Sequence, residues 1–438
     1  MALEKPVPLP ERPLADFGRV YAASAVVGFL FAASGPVAII LSVGSRGGLP
    51  ESTIASWIFA AFFINAFITI VFSFLYRQPL VFFWSIPGTV LVGPALSHLS
   101  FPEVVGAFLA TGLLMFVLGL SGWVRRAMEA VPMPIVMAMV AGVFLRFGID
   151  LVLAFRDGLW IAAPMTAAFF LLSAVARAGR VLPPLIGALI VGAVAVWLCG
   201  EFNPPAGVLF AFADPQFFVP QFSWAAMFEL VVPLAITVLV VQNGQGFAVL
   251  TAGGHRPPIN AITVACGLGA MVTGLFGAVS TCLTGPVNAI LASAGERDRQ
   301  YTAALSVALL ALGFGAMAPF FTRLLLATPP AFIATLAGLA MLRVLQSAFQ
   351  ISFRGTFSFG ALVCFLVTVA DVPIFRIGAP FWGLLLGLMA SHLLERADFR
   401  RAKEQNPDPP PARHRMNRSH SGIATIADAA MMTKATRR

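Results

Sequence analysis

The sequence predicts an all-α polytopic membrane protein of about fourteen transmembrane spans, arranged as two inverted repeats of seven. Three observations carry this. Of 438 residues, 59% are hydrophobic and 11% charged, with mean hydropathy +0.89, a composition that soluble domains do not reach. Apolar runs recur at 21–43, 52–75, 79–97, 103–123, 130–148, 159–176, 181–200, 224–251, 257–278, 280–294, 300–318, 322–346, 357–370 and 379–395. Finally, Pro134 to Gly142 (PIVMAMVAG) resembles Pro330 to Gly338 (PAFIATLAG), 196 residues later.

Seven is odd, so the second repeat must enter the membrane from the opposite side, the plan of many secondary transporters. With a cytoplasmic N-terminus, Arg77, Arg125, Arg126, Arg177, Arg180, Arg256 and Arg297 fall on the inner side. Fewer basic residues (Arg46, Arg146, Arg156, Arg323 and Arg376) fall outside, as the positive-inside rule requires. The chain then divides into a cytoplasmic segment 1–20, a first repeat 21–200, an extracytoplasmic linker 201–223, a second repeat 224–396 and a tail 397–438. The tail is basic, Pro-rich and poor in aromatics, and is expected to be disordered and cytoplasmic.

The net charge of +9 would suggest nucleic acid in a soluble protein. Here it reads as cytoplasmic loop charge beside a lipid bilayer, with no nucleic-acid partner. Four cysteines lack CxxC spacing or a histidine partner, so no metal site or disulfide framework is indicated. The N-terminus has no signal-peptide pattern, so the first apolar run is retained.

Spans 3 and 10 are unlike the rest. Span 3 reads Phe82-Phe83-Trp84-Ser85-Ile86-Pro87-Gly88-Thr89, and span 10 reads Ser280-Thr281-Cys282-Leu283-Thr284-Gly285-Pro286-Val287-Asn288. Each opens with β-prone or hydroxyl residues, breaks at Pro/Gly and continues as a short apolar helix. Short interrupted spans at matching places in two halves point to a binding site. A half-helix that starts at mid-membrane presents free N–H groups and partial positive charge, which suit an anion. The alternative is that Pro and Gly merely kink ordinary membrane helices.

Span 8 carries Gln242-Asn243-Gly244-Gln245-Gly246 inside an apolar run. Intramembrane amides face a wet cavity or a partner, so the cluster reads as one wall of a solute site, with interhelical hydrogen bonding as the alternative. Ser34-Gly35-Pro36 occupies the equivalent place in span 1. Ionisable residues fall at span ends or in loops, Glu229, Asp150 and His98 among them, so no buried carboxylate is expected at depth.

Enzyme chemistry finds little support. Gly119-Leu120-Ser121-Gly122 matches the GxSG of intramembrane serine proteases, but Ser121 adjoins Arg125-Arg126 and no histidine lies at matching depth. Helix packing explains it better. Gly383 and Gly387 form a similar signal in span 14, a candidate homodimer face. Walker A, HExxH and GxSxG motifs are absent from the sequence, and no cofactor is implied.

Trp84-Ser85-Ile86-Pro87-Gly88-Thr89, Gln242-Asn243-Gly244-Gln245-Gly246 and Thr284-Gly285-Pro286-Val287-Asn288 together resemble the benzoate:proton symporter (BenE-type) family, over residues 15–396. That family is similar in architecture to the nucleobase–ascorbate and sulfate permeases. The resemblance implies a core domain of spans 1–4 and 8–11, a gate domain of spans 5–7 and 12–14, and strand-like parts of spans 3 and 10 that meet beneath the substrate. Where nucleobase transporters carry a substrate-binding glutamate in span 8, this chain has Asn243 or Gln242, followed by Gly246 and Thr251. Their span-10 carboxylate is replaced by Thr281, Thr284 or Asn288. Loss of negative charge suits an anionic substrate.

The implied function is import of an aromatic carboxylate, benzoate above all, across the inner membrane with protons by alternating access. Its carboxylate would meet the N–H groups near Gly88 and Gly285, helped by Ser85, Thr89, Thr284 and Asn288. Gln242, Asn243 and Gln245 would close the site, and Trp84 or a nearby Phe would stack on the ring. No titratable side chain at depth offers itself as proton carrier, so the substrate carrying its own proton is one option. The other readings are a nucleobase or inorganic-anion permease of the same fold, and a passive anion channel.

Overall fold

Each of the fourteen apolar segments contains a helix in a computed structural model that describes residues 3–8, 13–129, 131–175, 182–203, 210–372, 374–375 and 377–405. Span 1 is α1 (Arg19–Ala33) and α2 (Gly35–Arg46), broken at Ser34, where Pro36 removes a donor. Then come α3 (Glu51–Tyr76), β1 (Phe82–Trp84), α4 (Ile86–Ala95), α5 (Phe101–Ser121), α6 (Met133–Asp157), α7 (Leu159–Ala174) and α8 (Pro184–Cys199). The second half holds α9 (Trp224–Ala252), α10 (Ile259–Gly274), β2 (Thr281–Leu283), α11 (Gly285–Ala292), α12 (Tyr301–Ala316), α13 (Ala318–Leu326), α14 (Pro330–Phe353), α15 (Ser358–Ala370) and α16 (Ala379–Leu394).

Six unbroken or gently broken helices are long and apolar enough to cross a membrane: Arg19–Arg46, α3, α5, α6, α9 and α14. The others are shorter, and 16 residues, as in α7, span only about 24 Å. Two boundaries differ from expectation. Span 5 runs on to Asp157, because Arg146 and Asp150 pair one turn apart and keep the helix going. Span 12 is Pro330–Phe353 rather than 322–346: Pro329 and Pro330 stop the preceding helix, leaving α13 as a separate piece bent 68° from α12.

Helices in lipid gain nothing from hydrophobic exclusion, so they associate by close packing of small residues. Gly112 on α5 and Gly267 on α10 show this: a Cβ on Gly267 would lie 2.7 Å from the Gly112 carbonyl oxygen. Gly119 faces Val264 on the same partner helix, so the GxSG segment is a packing surface. Gly383 and Gly387 face Cys364 and Gly360 of α15 within the same chain. That corrects the expectation of a dimer face there, since α15 already occupies it.

Two groups of helices result. α6, α7, α8, α14, α15 and α16 pack on one another, while α1 to α5 and α9 to α12 pack around the two strands. The linker, described from 210, lies across the second group, with Phe218 N–H donating to Leu275 O and Gln221 N–H to Pro102 O. Arg177 and Arg180, expected on the cytoplasmic side, lie outside the described residues. Of the tail, Arg396–Gln405 is helical, and 406–438, expected to be disordered, lies outside them.

The loop after α9 is pinned by His255, whose Nε2 lies 2.7 Å from Gln300 Oε1. Gln300 in turn donates to the carbonyls of Ala292 and Ala294. Burial pushes the His255 imidazole below its ordinary value, with Arg297 adding to the shift and the Gln300 contact opposing it. The unfolded chain therefore takes up a proton near pH ~6.5 that the folded chain refuses, so stability falls as pH drops through that value. The wild-type melting temperature should fall from about pH 7.5 to about pH 5.5 more steeply than that of His255→Gln. Parallel curves would show that His255 contributes nothing to acid lability.

Candidate functional site

Inside a membrane every main-chain polar group needs an internal partner, and a two-stranded ribbon has two open edges. β1 and β2 pair antiparallel, Phe82 opposite Leu283, Phe83 opposite Cys282 and Trp84 opposite Thr281. Ser85 N–H to Ser280 O (2.9 Å) and Thr284 N–H to Val81 O (3.1 Å) lengthen the ladder at both ends. The strands that the sequence placed in separate halves thus meet, as the resemblance implied.

Side chains from three helices close the edges. On α3, Asn65, Thr69 and Ser73 recur every four residues and form one stripe. Thr69 Oγ1 accepts from Phe82 N–H at 2.9 Å, Ser73 Oγ donates to Leu80 O at 2.9 Å, and Asn65 Oδ1 accepts from the Thr281 hydroxyl at 2.8 Å. From α11, Asn288 Oδ1 accepts from Val81 N–H at 2.9 Å while its Nδ2 donates to Val81 O at 3.3 Å. From α9, Asn243 Oδ1 accepts from Leu283 N–H at 2.8 Å. Three residues expected to touch substrate, Asn243, Thr281 and Asn288, are therefore engaged in holding the strands. The α3 stripe was not among the expected site residues, although its four-residue spacing was visible in the sequence.

The two half-helices differ at their starts. Ser85 caps α4: its Oγ accepts from Gly88 N–H at 3.1 Å, and Thr89 Oγ1 donates to Ser85 O at 3.0 Å. Serine at this position satisfies a donor that the helix cannot. α11 has no such cap. Thr284 Oγ1 makes no capping bond, and the N–H groups of Gly285 and Val287 have no partner among the described residues. The open, partly positive end is thus that of α11.

Further polar groups without a partner among the described residues lie along the strands and α9. Gln242, 7% exposed, lies in a π-helical turn, Thr237–Asn243, and makes no hydrogen bond among the described residues. Such turns recur at functional sites. Gln245 lies over Gly285, where an added Cβ would come within 2.6 Å of its Cγ. Trp84 is buried against Phe62, ring centroids 4.9 Å apart, and its indole N–H has no partner among the described residues. The buried Ser280 hydroxyl has none either. Ser280 was quoted in the span-10 motif but not singled out, because its orphan state depends on the strand pairing.

A cavity of about 340 Å³ opens between the two helix groups, lined by Ser42, Arg46, Gly93, Arg146, Thr368 and Asp371 among others. Asp150 binds both arginines, with Oδ2 2.6 Å from Arg46 Nη2 and Oδ1 3.3 Å from Arg146 Nε. Two cations share one of the carboxylates there. This corrects the expectation that buried carboxylates are absent. Asp150 is 7% exposed and Glu229 3%, both inside helices, because neighbouring helices cover positions that the sequence alone places near span ends. Among the described residues no group of His, Cys, Asp and Glu is arranged to hold a metal ion.

Comparison with known proteins agrees with this architecture. The family model of the benzoate membrane transport protein, BenE, matches residues 16–393. The inner membrane protein YdcO of Escherichia coli K12 is 30% identical over 354 residues, covering 80% of this chain and 89% of that protein. A benzoate membrane transport protein of Acinetobacter baylyi is 28% identical over 380 residues, covering 84% and 94%. Among solved structures, the transmembrane domain of a cyanobacterium bicarbonate transporter, BicA, shares the fold with TM-score 0.59 at 15% identity, covering 89% of this chain and all of that one. This is a fold of membrane transporters, not of enzymes, and the chain belongs to the BenE family of benzoate membrane transport proteins.

Proposed function

We propose that the protein imports benzoate, or a closely related aromatic carboxylate, across the inner membrane together with protons by alternating access. The open N-terminus of α11 carries this reading: free N–H groups at Gly285 and Val287 stand beside a free Thr284 hydroxyl. A carboxylate is the complement of such a donor set. Gln242 and Gln245 close one side, and Trp84 with Phe62 supplies aromatic surface for the ring. Ser85, Gly88 and Thr89 form the opposite wall, and Asn243, Thr281 and Asn288 keep it rigid.

The helices that surround the strands act as the moving core, and the other group acts as the gate. Gly35 lies at their contact, where an added Cβ would run into Leu185 and Ala340. Both termini face the cytoplasm, and the Arg46–Arg146 cavity faces outward.

The test is uptake of labelled benzoate into proteoliposomes, corrected for protein-free vesicles. Saturable uptake that rises with an inward proton gradient and collapses with a protonophore supports the proposal. Saturable uptake indifferent to the gradient removes the coupling. The fold shared with a bicarbonate transporter favours one second reading, an inorganic-anion permease. Saturable uptake of labelled bicarbonate or sulfate without any benzoate uptake would establish that reading instead.

A further inference from the structure

We infer that His98 and Glu229 form a proton-binding latch that holds core to gate at the end of the bundle carrying Arg46 and Arg146. Glu229 sits in a π-helical turn, Met227–Val231, near the start of α9, and is 3% exposed. Its Oε2 lies 2.8 Å from His98 Nε2. His98 follows α4, and its Nδ1 lies 3.1 Å from Ser97 Oγ. Glu229 lies on α9 and His98 in the turn between α4 and α5, all within the group around the strands.

The other carboxylate oxygen closes onto the second group. Oε1 packs directly against Gly378, the N-cap of α16, whose backbone N–H faces it. A side chain at 378 would collide with that oxygen, so the main chain of the gate rests on a carboxylate of the core. The other charged group facing Glu229 among the described residues is Asp371, at the C-cap of α15. Glu103 on α5 is turned back into its own capping box with Ser100.

The pair is neutral when it holds one proton between imidazole and carboxylate, and carries −1 when it holds none. A buried net charge is costly, and Asp371 adds like charge. Closing this seam therefore favours the protonated pair, while opening it admits water and lets the proton leave. Closure and proton occupancy are linked, each biasing the other. The proton comes from water and returns to it; no other bond changes.

The latch rests on the benzoate-carrier reading, and the test separates the two. Exchange of labelled for unlabelled benzoate is measured in proteoliposomes at equal pH on both sides, across the range in which imidazole pairs titrate, roughly pH 5 to 8. Wild-type exchange should fall toward alkaline pH, approaching about tenfold per pH unit once the proton is lost. Glu229→Gln is neutral without a proton and should give a flat profile. His98→Gln leaves the carboxylate alone and should move the fall to lower pH, which carries the test if Glu229→Gln misfolds. Glu229→Asp should restore a sloping profile. Variants that merely slow exchange equally at every pH, or a wild type whose exchange ignores pH, would overturn the latch. A wild type that exchanges no benzoate would remove the carrier reading and the latch with it.

Discussion

Gly285→Ala should leave the protein folded and weaken benzoate binding by about 10- to 100-fold, the loss expected when a methyl group keeps the carboxylate from one charge-assisted hydrogen bond, about 1.5–3 kcal/mol. Gly285 is the first residue of α11, and its N–H has no partner among the described residues. The atoms that a methyl group there would meet belong to Gln245, an exposed and flexible side chain that can swing aside. The helix start would then be covered while the strands, Asn288 and Asn243 stay as they are. The measurement is benzoate affinity by equilibrium binding in detergent, beside a melting curve. Unchanged affinity would take the α11 terminus out of the substrate site.

Asn288→Ala should do the opposite and strike folding first. Asn288 is fully buried and satisfies both main-chain groups of Val81. Truncation leaves the Val81 N–H without a partner where no water reaches, at about 1–3 kcal/mol, and leaves the Val81 carbonyl with Thr284 N–H as its one remaining donor. Asn243→Ala likewise orphans one buried N–H, that of Leu283, without the second bond to a strand carbonyl, and should cost somewhat less. Gln242→Ala, with no partner to orphan, should leave the melting temperature nearly unchanged and lower substrate affinity instead. Melting curves of the three variants check this ranking. An Asn288→Ala protein as stable as wild type would show that the strand edge is satisfied some other way.

These contrasts mark what the residues could say beforehand. The pattern of apolar runs, the Pro/Gly breaks in spans 3 and 10 and the amide cluster in span 8 were legible, because local composition in a membrane protein maps onto depth and continuity. The partners of each amide were not legible. Gln242 and Asn243 are adjacent and chemically alike, yet one is a strand brace and the other has no partner. That distinction depends on which face of a π-helical turn meets β2, and no spacing rule encodes it. Ser85 and Thr284 are equivalent by repeat, but only Ser85 caps its helix, so the pseudo-symmetry ends at the hydrogen-bond level.

By itself the sequence determined that this chain lives in lipid, that two broken spans face each other across a repeat, and which family it resembles. Tertiary structure alone decided that α3 braces β1, that α11 is the open helix end and that Glu229 meets His98 and Gly378. The physical reason is the same throughout. Burial in the membrane is set by composition along one segment, whereas hydrogen-bond satisfaction is set by which segments arrive at the same place, and those come from residues separated by more than a hundred positions.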